Sequence, residues 1–269
     1  MERAFDIPTE RYDIPAIVCL PEEGESLPGI ILCHGTGANK NEVKDLFARL
    51  AKCLAERGVA SLRFDFAGCG ESKADMLDFS FMGEVADARA AYDRLCSMER
   101  IDRERIGILG FSQGARVMAQ LMSEDVELAC AVSWSGACHN GAGVFDHWFK
   151  AYYDQAKTQG YARIPMGWRE DMLLSLSWFD QILDTRPLDC IHSYQGPLLA
   201  VAGTADPIVP WEHAKDILAQ DSHPLSRLLV FEGADHIYNA LDPKRSRADE
   251  LLKETADWVS KALGSDKPR

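Results

Sequence analysis

The chain has 269 residues, 46% of them hydrophobic and 26% charged, with a formal net charge of −13. That length and apolar content allow one large α/β domain with a sizeable core and exclude wholesale disorder. The acidic balance repels phosphate backbones and anionic lipid headgroups, so neither nucleic acid nor a membrane is an expected partner.

Two extended segments open the chain, around Ala4–Ile7 and Pro15–Leu20. The apolar run Gly29–Cys33 predicts a strand buried on both faces. After the turn His34-Gly35-Thr36-Gly37, the spacing of Val43, Leu46, Phe47, Leu50 and Leu54 predicts a helix over Val43–Glu56, ended by Gly58. A strand over Val59–Phe66 follows, then a helix over Met82–Met98 with Val85, Ala88, Tyr92 and Leu95 inward. Arg105–Phe111 predicts a strand, Gly114–Ser123 a helix and Leu128–Trp134 a strand. Leu198–Ala202 and Arg227–Phe231 are the last strands, and Arg245–Leu263 is the closing helix.

Strands alternating with helices imply an α/β fold with a mostly parallel, doubly wound sheet. The stretch from 137 to 195 breaks that rhythm and is rich in aromatics. It is expected to form a helical cap over the strand C-termini, where open α/β sheets bind ligands. Residues 1–136 and 196–269 then form the core.

Eight cysteines (Cys19, Cys33, Cys53, Cys69, Cys96, Cys130, Cys138 and Cys190) are scattered, with neither a C-x-x-C pair nor zinc-ligand spacing. Reduced thiols in the cytosol are the expectation. The N-terminus MERAFDIPTE has no apolar signal segment, and no stretch approaches the ~18 apolar residues of a membrane span.

Gly110-Phe111-Ser112-Gln113-Gly114 fits G-x-S-x-G between a strand and a helix. A sharp turn there strains the backbone at Ser112 and pushes its hydroxyl out of the sheet. Glycines on either side let neighbouring backbone approach. A nucleophilic serine needs a base, and the base needs an orienting acid, in the chain order Ser, Asp or Glu, His. His236 follows the last strand and is the expected base. Asp206, directly after the strand Leu198–Ala202, is the expected acid. Asp235 adjoins His236, but successive side chains diverge, so it is expected to brace the loop. His34 lies too early. His139, His147 and His192 fall in the cap, and His213 and His223 fall on or beside a later helix. The backbone N–H groups of Thr36 and Gln113 are the expected oxyanion donors, and the Gln113 side chain is expected to matter little.

Other readings are weaker. The glycine-rich Asp65–Ser72 stretch lacks phosphate-loop spacing and reads as a structural turn. Arg116 is expected to enter the interior and pair with a buried carboxylate. Cys69 and Cys138 sit on no elbow and beside no base. Trp148, Tyr152, Trp168, Trp178 and Val209 are candidates to line an apolar pocket, although the cap aromatics equally suit the cap's own core. No metal or cofactor motif stands out.

The stretches His34–Glu42, Ala60–Ser72, Gly110–Gly114, Gly203–Val209 and Glu232–His236 keep their order across the core. On these the sequence resembles the α/β-hydrolase superfamily, and within it the bacterial cinnamoyl and feruloyl esterases. Members of that group usually carry histidine where this chain has Cys69 and Phe111, and commonly glycine where it has Ala115. The resemblance implies a serine ester hydrolase acting on a small-molecule ester with an aromatic or apolar acyl group. A thioesterase, a small peptidase or amidase with the same triad, and a non-catalytic binding protein on the same fold are the alternatives. The oligomeric state is left open.

Overall fold

A computed structural model of the chain describes residues 1–219 and 223–265. Its main sheet has eight strands: β1 (Glu2–Pro8), β2 (Asp13–Cys19), β3 (Leu27–Cys33), β4 (Ala60–Phe64), β5 (Ile101–Phe111), β6 (Cys130–Trp134), β9 (Leu198–Gly203) and β10 (Arg227–Phe231). Between β6 and β9 lie β7 (Tyr161–Ile164) and β8 (Met172–Ser175), which pair with each other in a separate antiparallel hairpin. The main order is β1-β2-β4-β3-β5-β6-β9-β10. β2 runs antiparallel to both of its neighbours, β1 and β4, and the remaining neighbours are parallel.

Alternation along each strand divides the core. Ile30 and Leu32 of β3 face one side, where they meet α1 (Leu46–Glu56) and α8 (Ala248–Ala262) through Phe47, Leu50, Leu251 and Val259. Ile31 and Cys33 face the other, towards α2 (Phe81–Cys96) and α3 (Gln113–Leu121) through Val85, Ala88, Val117 and Met118. Every residue of β3 is buried, as expected of a strand covered by helices on both faces. Gly58 adopts φ +77° after α1 and frees the chain to enter β4. Ser80 caps α2 by accepting from the Gly83 N–H at 3.1 Å.

Expected and observed elements agree, with shifted ends. Val43–Asp45 is a 3-10 turn preceding α1, with Lys44 and Asp45 at positive φ. Arg245 and Ser246 are held in a turn on the Asp242 carbonyl, so α8 starts later than expected.

The segment between β6 and β9 departs from an all-helical cap. It holds α4 (Asp146–Gln159), α5 (Leu176–Asp184) and α6 (Pro187–Ser193), with the β7–β8 hairpin between α4 and α5. The hairpin residues alternate between buried and more exposed, the period of a strand. This segment reaches the turns that follow β3 and β4. Arg169 donates to the Gly37 carbonyl at 2.5 Å, and the Leu173 N–H meets the Met76 sulfur at 3.0 Å. α7 (Glu212–Leu218) follows β9. Among the described residues, no helix is long and apolar enough to cross a membrane.

Candidate active site

Ser112 stands between β5 and α3 with φ 55° and ψ −117°. Such a backbone costs a non-glycine residue about 1–3 kcal/mol and persists only where the surroundings over-determine it. Here its N–H donates to the Trp134 carbonyl at 2.9 Å, and its carbonyl accepts from Ala115 and Ala137, each at 3.1 Å. A Cβ on Gly110 would lie 2.3 Å from the Gly114 carbonyl oxygen, and one on Gly114 would lie 2.1 Å from that of Cys33. No side chain fits at either position, which is the physical content of the two glycines.

The turn aims Ser112 at the far side of the sheet edge. Its Oγ lies 3.1 Å from His236 Nε2, and His236 Nδ1 lies 2.7 Å from Asp206 Oδ2. The Asp206 side chain is 1% exposed and the His236 side chain 12%. The other Asp206 oxygen accepts from the Ile208 and Val209 N–H groups at 2.8 and 2.9 Å, which fixes the carboxylate's orientation. Phe111 stacks on the His236 ring, with centroids 5.2 Å apart and planes 28° apart. Asp235 accepts from the Ile237 and Asn239 N–H groups and braces the loop. The structure thus brings Ser112, His236 and Asp206 together and leaves Asp235 outside their chain.

The turn after β3 flanks Ser112. Neither the Thr36 nor the Gln113 backbone N–H has an acceptor among the described residues, whereas the Gly35 N–H is taken by Glu42 at 2.6 Å. Gln113 opens α3, so its N–H is one of the unpaired donors at a helix N-terminus. Glu42 also accepts from its neighbour Val43 at 3.1 Å. Burial pushes the Glu42 carboxyl up to about 7, against the pull of those two N–H groups and of His236. His34 is buried behind the turn and bridges two strands' ends, with Nδ1 at the Gly35 carbonyl and Nε2 accepting from the Phe66 N–H. Its loss of solvent lowers its pKa to about 4, so it is neutral.

The Gln113 side chain has a definite role, contrary to the sequence expectation. Its Oε1 accepts from the Thr36 hydroxyl at 2.9 Å, and its Nε2 donates to Glu84 on α2. Glu84 could have been noticed, because it shares the apolar α2 face with Phe81, Val85 and Ala88. Glu42 and Arg169 carry no comparable sequence signal.

Arg116 enters the interior but meets no carboxylate. Its guanidinium donates to the carbonyls of His139, Gly141 and Ile182 and to the Thr185 hydroxyl, at 2.7–2.8 Å. The loop after β6 and the C-terminal end of α5 present these oxygens around a guanidinium whose planar fork can reach them. Burial lowers Arg116 to about 10, still cationic near neutrality. The Asp65–Ser72 turn is structural: Asp65 pairs with Lys40 at 2.6 Å and accepts from the Glu71 N–H.

Of the aromatic candidates, Trp178 has no exposed surface and packs edge-on to Phe145 and Phe179, so it offers no face to a ligand. Trp168 is 63% exposed, beside Arg169 in the hairpin loop. Trp148 is partly buried against Phe145 and Trp178, and Tyr152 is partly buried against the same core. Val209 is buried and acts through its backbone on Asp206. Burial pushes the Cys69 and Cys138 thiols up to about 12, which removes the thiolate a nucleophile requires. His139 and His213 stack on each other and His147 holds the Val144 carbonyl, while His192 contacts the Asp216 carbonyl and His223 accepts from Leu225. Among the described residues, no group of three or more His, Cys, Asp and Glu side chains could hold a metal.

A model of the alpha/beta hydrolase family matches residues 30–251. The chain is 27% identical over 236 residues to an uncharacterised protein of Mycobacterium tuberculosis, covering 87% of this chain and 72% of that one. It is 27% identical over 140 residues to 2,6-dihydropseudooxynicotine hydrolase of Paenarthrobacter nicotinovorans, covering 48% and 35%. Its fold is similar to Est1E of Butyrivibrio proteoclasticus, with TM-score 0.74, 19% identity, and 97% and 99% of the two chains covered. A structure of Est1E with ferulic acid bound superposes with TM-score 0.73 at 21% identity, covering 94% and 97%.

Proposed function

The chain belongs to the α/β hydrolase family, and on that premise we propose that it is a serine esterase that cleaves a small carboxylic ester through an acyl-enzyme. One observation carries this reading: a strained Ser112 whose hydroxyl faces His236 Nε2 at 3.1 Å, while Asp206 holds Nδ1 at 2.7 Å.

Ser112 Oγ attacks the ester carbonyl as His236 Nε2 takes its proton. Asp206 keeps the imidazole in the required tautomer and stabilises the imidazolium. The Thr36 and Gln113 N–H groups receive the oxyanion. His236 then hands its proton to the departing alkoxide, which leaves as the alcohol. Water, deprotonated by His236, attacks the acyl-enzyme and releases the acid and Ser112.

Residues 137–195 act as the cap that selects the acyl group. The aromatic content of that segment supports an apolar or aromatic acid, and the ferulic acid seen in Est1E is one such acid. Eight free thiols suit a reducing compartment, the cytosol. Wild-type protein is expected to turn over p-nitrophenyl acetate and to be labelled at Ser112 by a fluorophosphonate probe. Ser112→Ala loses both with its melting temperature unchanged. Near-normal turnover in a folded Ser112→Ala sample would end the reading.

A further inference from the structure

Beneath the two oxyanion amides runs a buried chain of side chains, Thr36–Gln113–Glu84. The Thr36 hydroxyl donates to Gln113 Oε1 at 2.9 Å, and Gln113 Nε2 donates to a Glu84 oxygen. Gln113 is 0% exposed and Glu84 2%. The chain links three elements distant in sequence: the turn after β3, the start of α3 and the first turn of α2. Its two upper members are the residues whose backbone N–H groups have no acceptor. Such amides need to be held at a fixed separation, because a donor that drifts by an ångström loses its effect on a developing charge.

We infer that Glu84 is a positioning residue, which by accepting from Gln113 Nε2 locks the Gln113 side chain and through it the spacing of the Thr36 and Gln113 amides. The inference rests on the serine-esterase reading and goes beyond it, since Glu84 touches neither substrate nor triad.

The surroundings of Glu84 support the neutral form. Burial lifts its carboxyl well above the usual range against the pull of the Gln113 hydrogen bond, and Asp87, one helical turn further along α2, adds to the rise. No cation pairs with Glu84 among the described residues. A carboxylate here would set a negative charge beneath the site where the oxyanion forms, whereas a neutral acid keeps the hydrogen bond without opposing it. A packing role would be served equally by an apolar side chain. The amide chain would not.

The test compares Glu84→Leu, Glu84→Gln and Thr36→Val on p-nitrophenyl acetate. Fluorophosphonate labelling of wild type serves as the control for the nucleophile. Glu84→Leu and Thr36→Val are each expected to lower kcat about tenfold with KM within about twofold, and the double variant to be no worse than either alone. Glu84→Gln, isosteric with the neutral acid, restores most of what Glu84→Leu loses. Thr36 is only partly buried, so Thr36→Val keeps the backbone amide and reports even if Glu84→Leu fails to fold. A labelled wild type whose kcat is unmoved in Thr36→Val, or a Glu84→Gln as impaired as a folded Glu84→Leu, overturns the inference alone. An unlabelled wild type overturns the esterase reading and the inference together.

Discussion

Around Ser112 the backbone itself sets the geometry, whereas the β6–β9 segment is held by side chains that reach across long stretches of chain. At the elbow, Gly110 and Gly114 leave no room for a Cβ, and the strained serine is tied by three main-chain hydrogen bonds. In the segment, Arg116 reaches carbonyls as far away in sequence as Ile182, and Arg169 reaches Gly37. The first arrangement fixes atoms through main-chain groups, whose positions do not depend on rotamers, and suits a site that needs exact placement. The second joins separate elements through single side chains, so it can change shape with few substitutions.

The sharpest way to break the elbow end is Asp206→Asn. The new side chain keeps an oxygen for the Ile208 and Val209 N–H groups but turns an NH2 towards His236 Nδ1. The imidazole is then driven to the tautomer that cannot take the serine proton. A fall in kcat of about four orders of magnitude, with an unchanged melting temperature, is expected. A fall below tenfold would mean that His236 is oriented by something other than Asp206.

Breaking the other end calls for Arg116→Met. The variant leaves the His139 and Gly141 carbonyls without their donor, each worth about 1–3 kcal/mol if left buried and unpaired, while the Ile182 carbonyl keeps the Thr185 hydroxyl. Removing a buried cation that lacks a counter-charge offsets part of that loss. A net destabilisation of about 3 kcal/mol in urea unfolding is expected, with protease cleavage appearing first between 137 and 195. Cleavage distributed evenly over the chain would argue that the segment and the sheet unfold as one unit.

Glu42 sharpens the contrast, because the elbow end carries a cost that depends on pH. Its pKa rises from the ordinary 4.5 to about 7 on folding. Between those values the folded chain binds the proton and the unfolded chain does not, so stability falls as pH rises from 4.5 to 7. Below 4.5 both states are protonated, and the cost disappears. Glu42→Gln removes this dependence. The stability gap between variant and wild type should shift in the variant's favour by up to about 3 kcal/mol from pH 4.5 to pH 8. A constant gap across that range would show that folding leaves the Glu42 pKa unshifted.

The same contrast explains what was legible in the sequence. Gly110, Ser112 and Gly114 sit within five residues, and the strand–turn–helix around them follows from hydrophobic period and glycine placement. Asp206 and His236 each follow a strand of the same sheet, so their meeting follows from topology alone. Trp178 was harder to place, because an aromatic in an irregular segment reads the same whether it lines a pocket or fills a core. Arg116 was expected to find a carboxylate, since carbonyls gathered from a loop and a helix end have no sequence signature. The role of the Gln113 side chain leaves no sequence signal because its partners, Thr36 and Glu84, are 77 and 29 residues away. The β7–β8 hairpin was missed because two four-residue strands are too short to impose a period on an aromatic background.

The smallest expected effect lies where the elbow departs from the esterases it resembles. Phe111 is 3% exposed and stacks on the His236 ring at 5.2 Å, while its edge meets Trp134 at 6.5 Å. An aromatic pair of this kind is worth about 0.5–1.5 kcal/mol beyond its burial. Phe111→Leu keeps an apolar side chain in the core but withdraws the flat surface that limits the imidazole's tilt. The ring retains both hydrogen bonds, to Ser112 and to Asp206, so it is loosened and not displaced. A three- to tenfold drop in kcat with little change in KM is expected, since a tilted base affects proton transfer and leaves substrate binding alone. Phe111→His returns a flat ring and should recover most of that loss. If Phe111→Leu matched wild type in kcat, the two hydrogen bonds alone would suffice to aim His236, and the stacking would belong to the packing of the sheet edge.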